Sequence, residues 1–231
     1  QQALKYCTKV ITTSEHTRSQ LAALGLYEGE ATAVEPGCAP APLSTGRPTE
    51  RIELICIGSI TPRKGQDVLV EALAQLTTAA PVWHCQLIGS TELAPGFAKA
   101  ITQQIEQAGL TDRISLRGAL DAAALSHACT TADCLILPSR YEGYGMVITE
   151  AIAHGLPVIT TTAGALANTL PADAGLAVSP DNAAALQDTI QTFLSDQSLQ
   201  QRLRDGALQA RRHLTPWSAR GQAFSAALTD G

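Results

Sequence analysis

Short apolar runs alternate along this chain with longer segments in which apolar residues recur at helical spacing. From the amino end, "KVITT" precedes "SEHTRSQLAALGL", "IELICIGS" precedes "GQDVLVEALAQL", and "WHCQLIG" precedes "GFAKAITQQIEQAGL". The series continues with "RISLRG", a helical "DAAALSHACTTA", "DCLILP", a helix after Gly145, "PVITT", and "GLAVS" before "DNAAALQDTIQTFLSD". Strands alternating with helices predict βα units, hence an α/β fold with a parallel sheet covered on both faces. Ser14, Asp121 and Asp181 stand where N-caps belong, and Gly109 and Gly155 follow helices as stops.

The pattern breaks at residues 36–50, "PGCAPAPLSTGRPTE", which are rich in Pro, Gly, Ser and Thr and carry no apolar period. This stretch reads as an interdomain linker, assigned to 41–50. After residue 195, "SLQQRLRDGALQARRHL" and "PWSARGQAFSAAL" read as helices separated by Pro216, a residue suited to a first helical turn. Residues 1–40 hold a strand and a helix that cannot form a sheet alone, so they read as the tail of a domain whose main part is missing. The predicted division is 1–40, 41–50, 51–214 and a C-terminal helix at 215–231 that packs back toward the first lobe.

The 231 residues, 45% of them apolar, allow one substantial core or two smaller ones. Sixteen basic against 21 acidic residues give a net charge of -5, and aromatics are 4%, so neither a phosphate-backbone footprint nor a stacking platform is present. Nucleic acid is therefore not an expected partner. No apolar run approaches the roughly 18 residues needed to span a bilayer, and the amino end lacks a signal-peptide core. The expectation is a cytoplasmic protein. Cys56, Cys85 and Cys134 lie inside apolar strand-like runs without a CxxC pair, which predicts reduced, buried thiols. Five scattered histidines show no ligand spacing, and no structural metal is expected. His154 reads as a cation near a helix C-terminus.

Two strand-to-helix turns carry the candidate chemistry. In "GSITPRKGQDVLVEAL" a strand ends at Gly58 and a helix begins near Gly65, with Arg63 and Lys64 just before it. Two cations at the positive end of a helix dipole are locally unfavourable by about 0.3 to 1 kcal/mol each if exposed. An anion, phosphate above all, would relieve the conflict. The spacing gives no Walker loop. In "LPSRYEGYGMVITEAIAHGLPVITT" the strand "DCLILP" ends at Pro138, a loop carries Glu142, Gly143 and Gly145, and a helix begins near Met146. Here glycines let backbone N–H groups approach a ligand. Glu150, one turn into the helix, could accept from both hydroxyls of a vicinal diol, and Glu142 could bind sugar hydroxyls.

These two segments together with "GLAVSPDNAAALQDTI" resemble the donor-binding half of retaining nucleotide-sugar glycosyltransferases of family four (group 1), whose GT-B fold has two Rossmann-like domains. The similarity runs over nearly the whole chain. It implies that residues 51–214 form a Rossmann-like domain for a nucleotide-diphosphate sugar of UDP, GDP or ADP type. Arg63 and Lys64 would hold the diphosphate beside Gly58 and Ser59. Glu150 would bind the ribose, and Arg117, Gly118, Ala119 and Leu120 would lie against the base. Glu142, with Gly143, Tyr144 and Gly145, would contact the transferred sugar and its phosphate, next to Met146 and Val147 at the helix start. Arg63, Lys64 and Glu142 are thereby the implied catalytic residues. The resemblance further implies transfer of a hexose to an acceptor hydroxyl with retention, no cofactor, and no metal.

The chain departs from the family's pattern in three places. Ser59 stands where many relatives place an Arg, which would shift diphosphate binding onto Arg63 and Lys64. In "TTTAGALANTL" the residues Gly164, Ala165, Ala167 and Asn168 replace the commoner two glycines and Pro-Glu, which affects expectations for the acceptor side rather than the donor side. The family's acceptor-binding lobe, with its catalytic or positioning His, would precede residue 1, so this chain alone is expected to be inactive. Two other readings accompany this one: a noncatalytic nucleotide-sugar module acting with a partner chain, and a sugar-nucleotide epimerase on the same fold.

Overall fold

The computed structural model describes residues 3–45, 51–77 and 80–229. Among them, six strands form a parallel sheet: β3 (Ile52–Ile57), β4 (Trp83–Ile88), β5 (Ile114–Gly118), β6 (Cys134–Leu137), β7 (Val158–Thr161) and β8 (Gly175–Val178). Their spatial order is β5-β4-β3-β6-β7-β8, so the chain winds outward from β3 in one direction and then returns to build from β6 in the other. That reversal is the doubly wound arrangement, and it leaves a crevice at the carboxyl ends of β3 and β6.

The side-chain period of two explains how one strand serves two cores. Leu54 and Cys56 of β3 point with Cys134 and Ile136 of β6 into one apolar cluster, which also takes in Leu69 of α2 (Gln66–Ala74), Ile101 of α3 (Pro95–Gln107) and Phe193 of α7 (Ala183–Ser195). Ile55, Leu135 and Leu137 point the other way, onto Ala128 of α4 (Ala122–Thr130) and Ile148 and Ile152 of α5 (Met146–Ala153). Full burial of side chains of this size contributes about 1.5 to 3 kcal/mol each. Cys56, Cys85 and Cys134 are buried in the sheet as free thiols, as the apolar runs predict. Burial pushes the Cys56 thiol up to about 12.

The helix ends follow the capping signals with one exception. Ser14 caps α1 (Glu15–Ala23) by accepting from the Thr17 N–H, and Asp121 caps α4 by accepting from Ala124. Gly109 and Gly155 take the left-handed conformation just past α3 and α5. Asp181 does not cap α7, because its carboxylate is drawn to Arg140 and Asn182 accepts from the Ala185 N–H instead. Burial works against the expected cation at His154 by lowering its pKa, and Nδ1 lies 2.7 Å from the Pro42 carbonyl.

Two short elements escape the apolar pattern. β2 (Ala31–Ala33) pairs in parallel with β1 (Val10–Thr12), so the amino-terminal strand does have a sheet partner, and α6 (Leu166–Thr169) is a single turn after β7. Within the expected linker, 46–50 lies outside the described residues. Residues 36–45 pack closely instead of hanging free: Cys38 N–H donates to the Thr215 carbonyl at 2.9 Å and Ser44 Oγ to the Ala132 carbonyl at 2.7 Å. Beyond α8 (Gln197–Arg211), Pro216 precedes α9 (Trp217–Thr229), whose Arg220 pairs with Glu35 at 3.0 Å and whose Leu228 carbonyl accepts from Lys9.

Candidate functional site

β3 and β6 are neighbours at the centre of the sheet, and their following loops meet. After Ile57 the chain turns at Gly58 and passes through a 3-10 turn at Pro62–Lys64 before Gly65 opens α2. Gly65 has φ 69°, and a Cβ there would come within 2.1 Å of the Pro138 carbonyl oxygen that follows β6. Only glycine permits both the conformation and the approach. The Lys64 stem lies over Gly58, whose added Cβ would meet Cδ and Cε at 3.2 Å. Gly58 in turn approaches the next strand end, since a Cβ on Gly89 would meet its carbonyl at 2.0 Å.

Glu142 is 8% exposed and accepts three hydrogen bonds: Lys64 Nζ at 2.5 Å, Arg63 Nη1 at 2.9 Å and Ser139 Oγ at 2.9 Å. Burial raises its pKa, but the Lys64 hydrogen bond and charge, then Ser139 and Arg63, outweigh that effect and hold the carboxyl below its ordinary value. Arg63 Nη1 also donates to the Tyr141 carbonyl at 2.9 Å. Two cations thus share one carboxylate beside the N-terminus of α2. Cations set beside a helix N-terminus have the chemistry suited to an anion.

The loop after Glu142 is held from several sides. Gly143 accepts from Thr17 Oγ1 at 3.3 Å, Tyr144 accepts from Thr169 Oγ1, and Gly145, with φ 91°, opens α5. The "TTTAGALANTL" loop, expected to bear on the acceptor side, supports Glu142 as well. The Ala165 N–H donates to the Glu142 carbonyl at 2.9 Å, and a Cβ on Gly164 would come within 2.2 Å of that oxygen. Met146 is exposed and Val147 half-buried at the start of α5.

Glu150 belongs to a different part of the crevice. It lines a cavity of about 400 Å³ between residues 37–42, α4 and α5, with Ile57, Leu125 and Cys129 among the walls. Its side chain reaches solvent through the open mouth, while the apolar surroundings desolvate the carboxyl and raise its pKa. Arg117 to Leu120 lie at the edge strand: Arg117 Nη1 donates to Gln86 Oε1 at 2.9 Å, Gly118 has φ 67°, Ala119 is exposed and Leu120 is half-buried. Ser59, exposed only in part, offers its carbonyl to Gln66 Nε2 at 3.0 Å.

The structure therefore joins Arg63, Lys64 and Glu142 in one hydrogen-bonded group, places Gly58 and Ser59 beside it, and sets Glu150 in a separate cavity. Sequence reasoning passed over Ser139 and Arg140, although both stand in the quoted motif, and over Cys38 and Pro42, which line the Glu150 cavity. An interrupted, Pro-rich stretch gives no sign in sequence that it closes a cavity wall.

The profile of the family described as "Glycosyl transferases group 1" matches residues 42–210. Over 164 residues the chain is 32% identical to a D-inositol 3-phosphate glycosyltransferase of Jonesia denitrificans, covering 69% of this chain and 38% of that protein. Sucrose-phosphate synthase from Thermosynechococcus elongatus superposes with a TM-score of 0.86 at 26% identity, covering 99% of this chain and 60% of that one. Anabaena HepE in complex with UDP and glucose superposes with a TM-score of 0.85 at 21% identity, covering 99% of this chain and 65% of that one. The chain spans less than two thirds of the length of the curated relatives it matches, from 26% to 55% among eight of them.

Proposed function

This chain belongs to the group 1 glycosyltransferases, and from that premise we propose that it binds the nucleotide-diphosphate sugar donor of a hexosyl transfer completed in a longer protein. The sharing of one carboxylate, Glu142, by Arg63 and Lys64 at the reversal point of the sheet carries this reading. A donor diphosphate would satisfy the two cations and free Glu142 toward the sugar hydroxyls. The cavity beside Glu150 would receive the nucleoside, with an ionised carboxylate accepting from the ribose diol.

In the transfer itself, negative charge accumulates on the departing diphosphate as the sugar–oxygen bond breaks. Arg63, Lys64 and the amino ends of α2 and α5 would stabilise that charge without a metal ion. Loss of one such donor costs on the order of 100- to 1000-fold in turnover. The acceptor hydroxyl would attack from the face the nucleotide leaves, with retention; the anomeric configuration of the product made by the longer protein decides this. The acceptor would be held mostly by residues outside this chain.

Calorimetric titration with UDP, GDP and ADP in the presence of a metal chelator tests the donor reading. One nucleotide should bind, and Lys64→Ala should weaken it roughly 10- to 100-fold, the value of one charge-assisted hydrogen bond, while leaving the nucleoside alone unaffected. Equal affinity in parent and variant would remove Lys64 from the site.

A further inference from the structure

Arg140 follows Ser139 in the loop after β6 and enters a contact among three strand ends. Its guanidinium forms a bidentate pair with Asp67 at the start of α2, Nη1 to Oδ1 at 2.9 Å and Nη2 to Oδ2 at 2.8 Å. Nη1 also donates to the Pro62 carbonyl, inside the 3-10 turn that carries Arg63 and Lys64. On its third side, Nε donates to Asp181 Oδ1 at 2.5 Å, in the turn between β8 and α7. The Arg140 backbone N–H completes the contact by donating to the Arg63 carbonyl at 2.8 Å.

We propose that Arg140 is a positioning residue that fastens the Arg63–Lys64 turn to the loop carrying Glu142, so that both cations stand ready for a diphosphate. The fork geometry explains the residue type: a planar guanidinium pairs at two points with Asp67 while also reaching the Pro62 carbonyl and Asp181, one bond more than the three donors of an ammonium can make. A second observation supports the assignment. Among the described residues, Asp181 is the non-glycine residue with positive φ, 54°. A conformation of that kind persists where its surroundings over-determine it, and the bond to Arg140 is the contact its carboxylate makes instead of a helix cap. The donor part of this inference rests on the reading under Proposed function, whereas the fastening of the turn does not.

Hydrogen–deuterium exchange separates the two. The amides of Lys64 and Gly65 close the turn onto the Thr61 and Pro62 carbonyls at 2.9 and 3.2 Å. In Arg140→Ala their exchange should quicken about 10-fold or more, with protection in β3 and β4 unchanged. Affinity for the nucleoside diphosphate should fall by up to about 100-fold, the scale of one charge-assisted hydrogen bond lost, and affinity for the nucleoside should hold. Arg140→Lys should remain impaired. If Arg140→Ala does not fold, Asp67→Asn breaks the same fork and carries the same comparison. Unchanged exchange at Lys64 and Gly65 would overturn the inference, as would an equal loss of nucleoside and nucleoside diphosphate affinity. Failure of the parent protein to bind any nucleoside diphosphate would instead refute the donor reading, and exchange alone would then decide the fastening.

Discussion

At the scale of single residues, Glu142 and Glu150 show how one side-chain type takes opposite characters within eight positions of chain. Burial raises the pKa of both, but at Glu142 the Lys64 ammonium, the Ser139 hydroxyl and the Arg63 guanidinium reverse the shift. A carboxyl with a depressed folded-state pKa stabilises the fold above its unfolded value, and that contribution is lost as pH falls through the folded one. Glu150 has the opposite sign: its folded-state pKa is raised, so ionisation at higher pH works against the fold. Urea unfolding of Glu142→Gln should therefore show a loss of about 2 kcal/mol at pH 7, the scale of charge-assisted hydrogen bonds left unmade. The gap to the parent should close below the ordinary carboxylate range. Glu150→Gln, measured beside it, should gain on the parent as pH rises through the raised value. A gap independent of pH at Glu142 would mean that its ion pairs do not stabilise the fold. Neither carboxyl's sign was legible in the motif, because each depends on what the fold brings beside it.

At the scale of elements, the apolar period and the capping residues account for most of the boundaries. The failures are local and physical. Three residues of "ATA" bury too little to leave a periodic signal, and β2 forms because β1 stands ready to pair with it. Asp181 carries the right chemistry for an N-cap, yet a guanidinium contributed by another strand end competes for it. Between β3 and α2 the element boundary is set by Gly65, where positive φ and the approach of the Pro138 carbonyl coincide. Gly65→Ala should cost roughly 2 kcal/mol or more in unfolding free energy, from strain and overpacking together. It should also weaken nucleoside diphosphate binding, because the two loops can no longer touch. A urea midpoint equal to the parent's would show that the loops can part without cost.

At the scale of the molecule, the amino-terminal unit of β1, α1 and β2 touches the loop after β6 through Thr17 and is held as well by the chain's other end. Gly37 lies against α9, and a Cβ there would come within 2.5 Å of Trp217 Cα. The Arg220–Glu35 pair and the Lys9–Leu228 bond extend the contact. Gly37→Ala should loosen α9, so that amides in 217–229 exchange faster while those of the six-stranded sheet do not change. Undisturbed exchange in α9 would mean that the close approach contributes nothing to its docking.

The order of the strands and helices other than β2 and α6, the parallel sheet, the buried thiols and the two strand-to-helix turns followed from the sequence by itself, since each is dictated by local period, capping chemistry or residue type. The family was legible for the same reason: its signature residues lie within short contiguous stretches. Only the tertiary structure decided that Arg63 and Lys64 share Glu142, that Glu150 occupies a separate cavity, that residues 36–45 form a packed wall, and that Arg140 joins three loops. Those facts arise from groups far apart in the chain meeting in the fold, as Arg140 meets Asp181 across 41 positions and Cys38 meets Thr149 across 111. No local period encodes such meetings; the strand order that brings them about is a property of the whole fold.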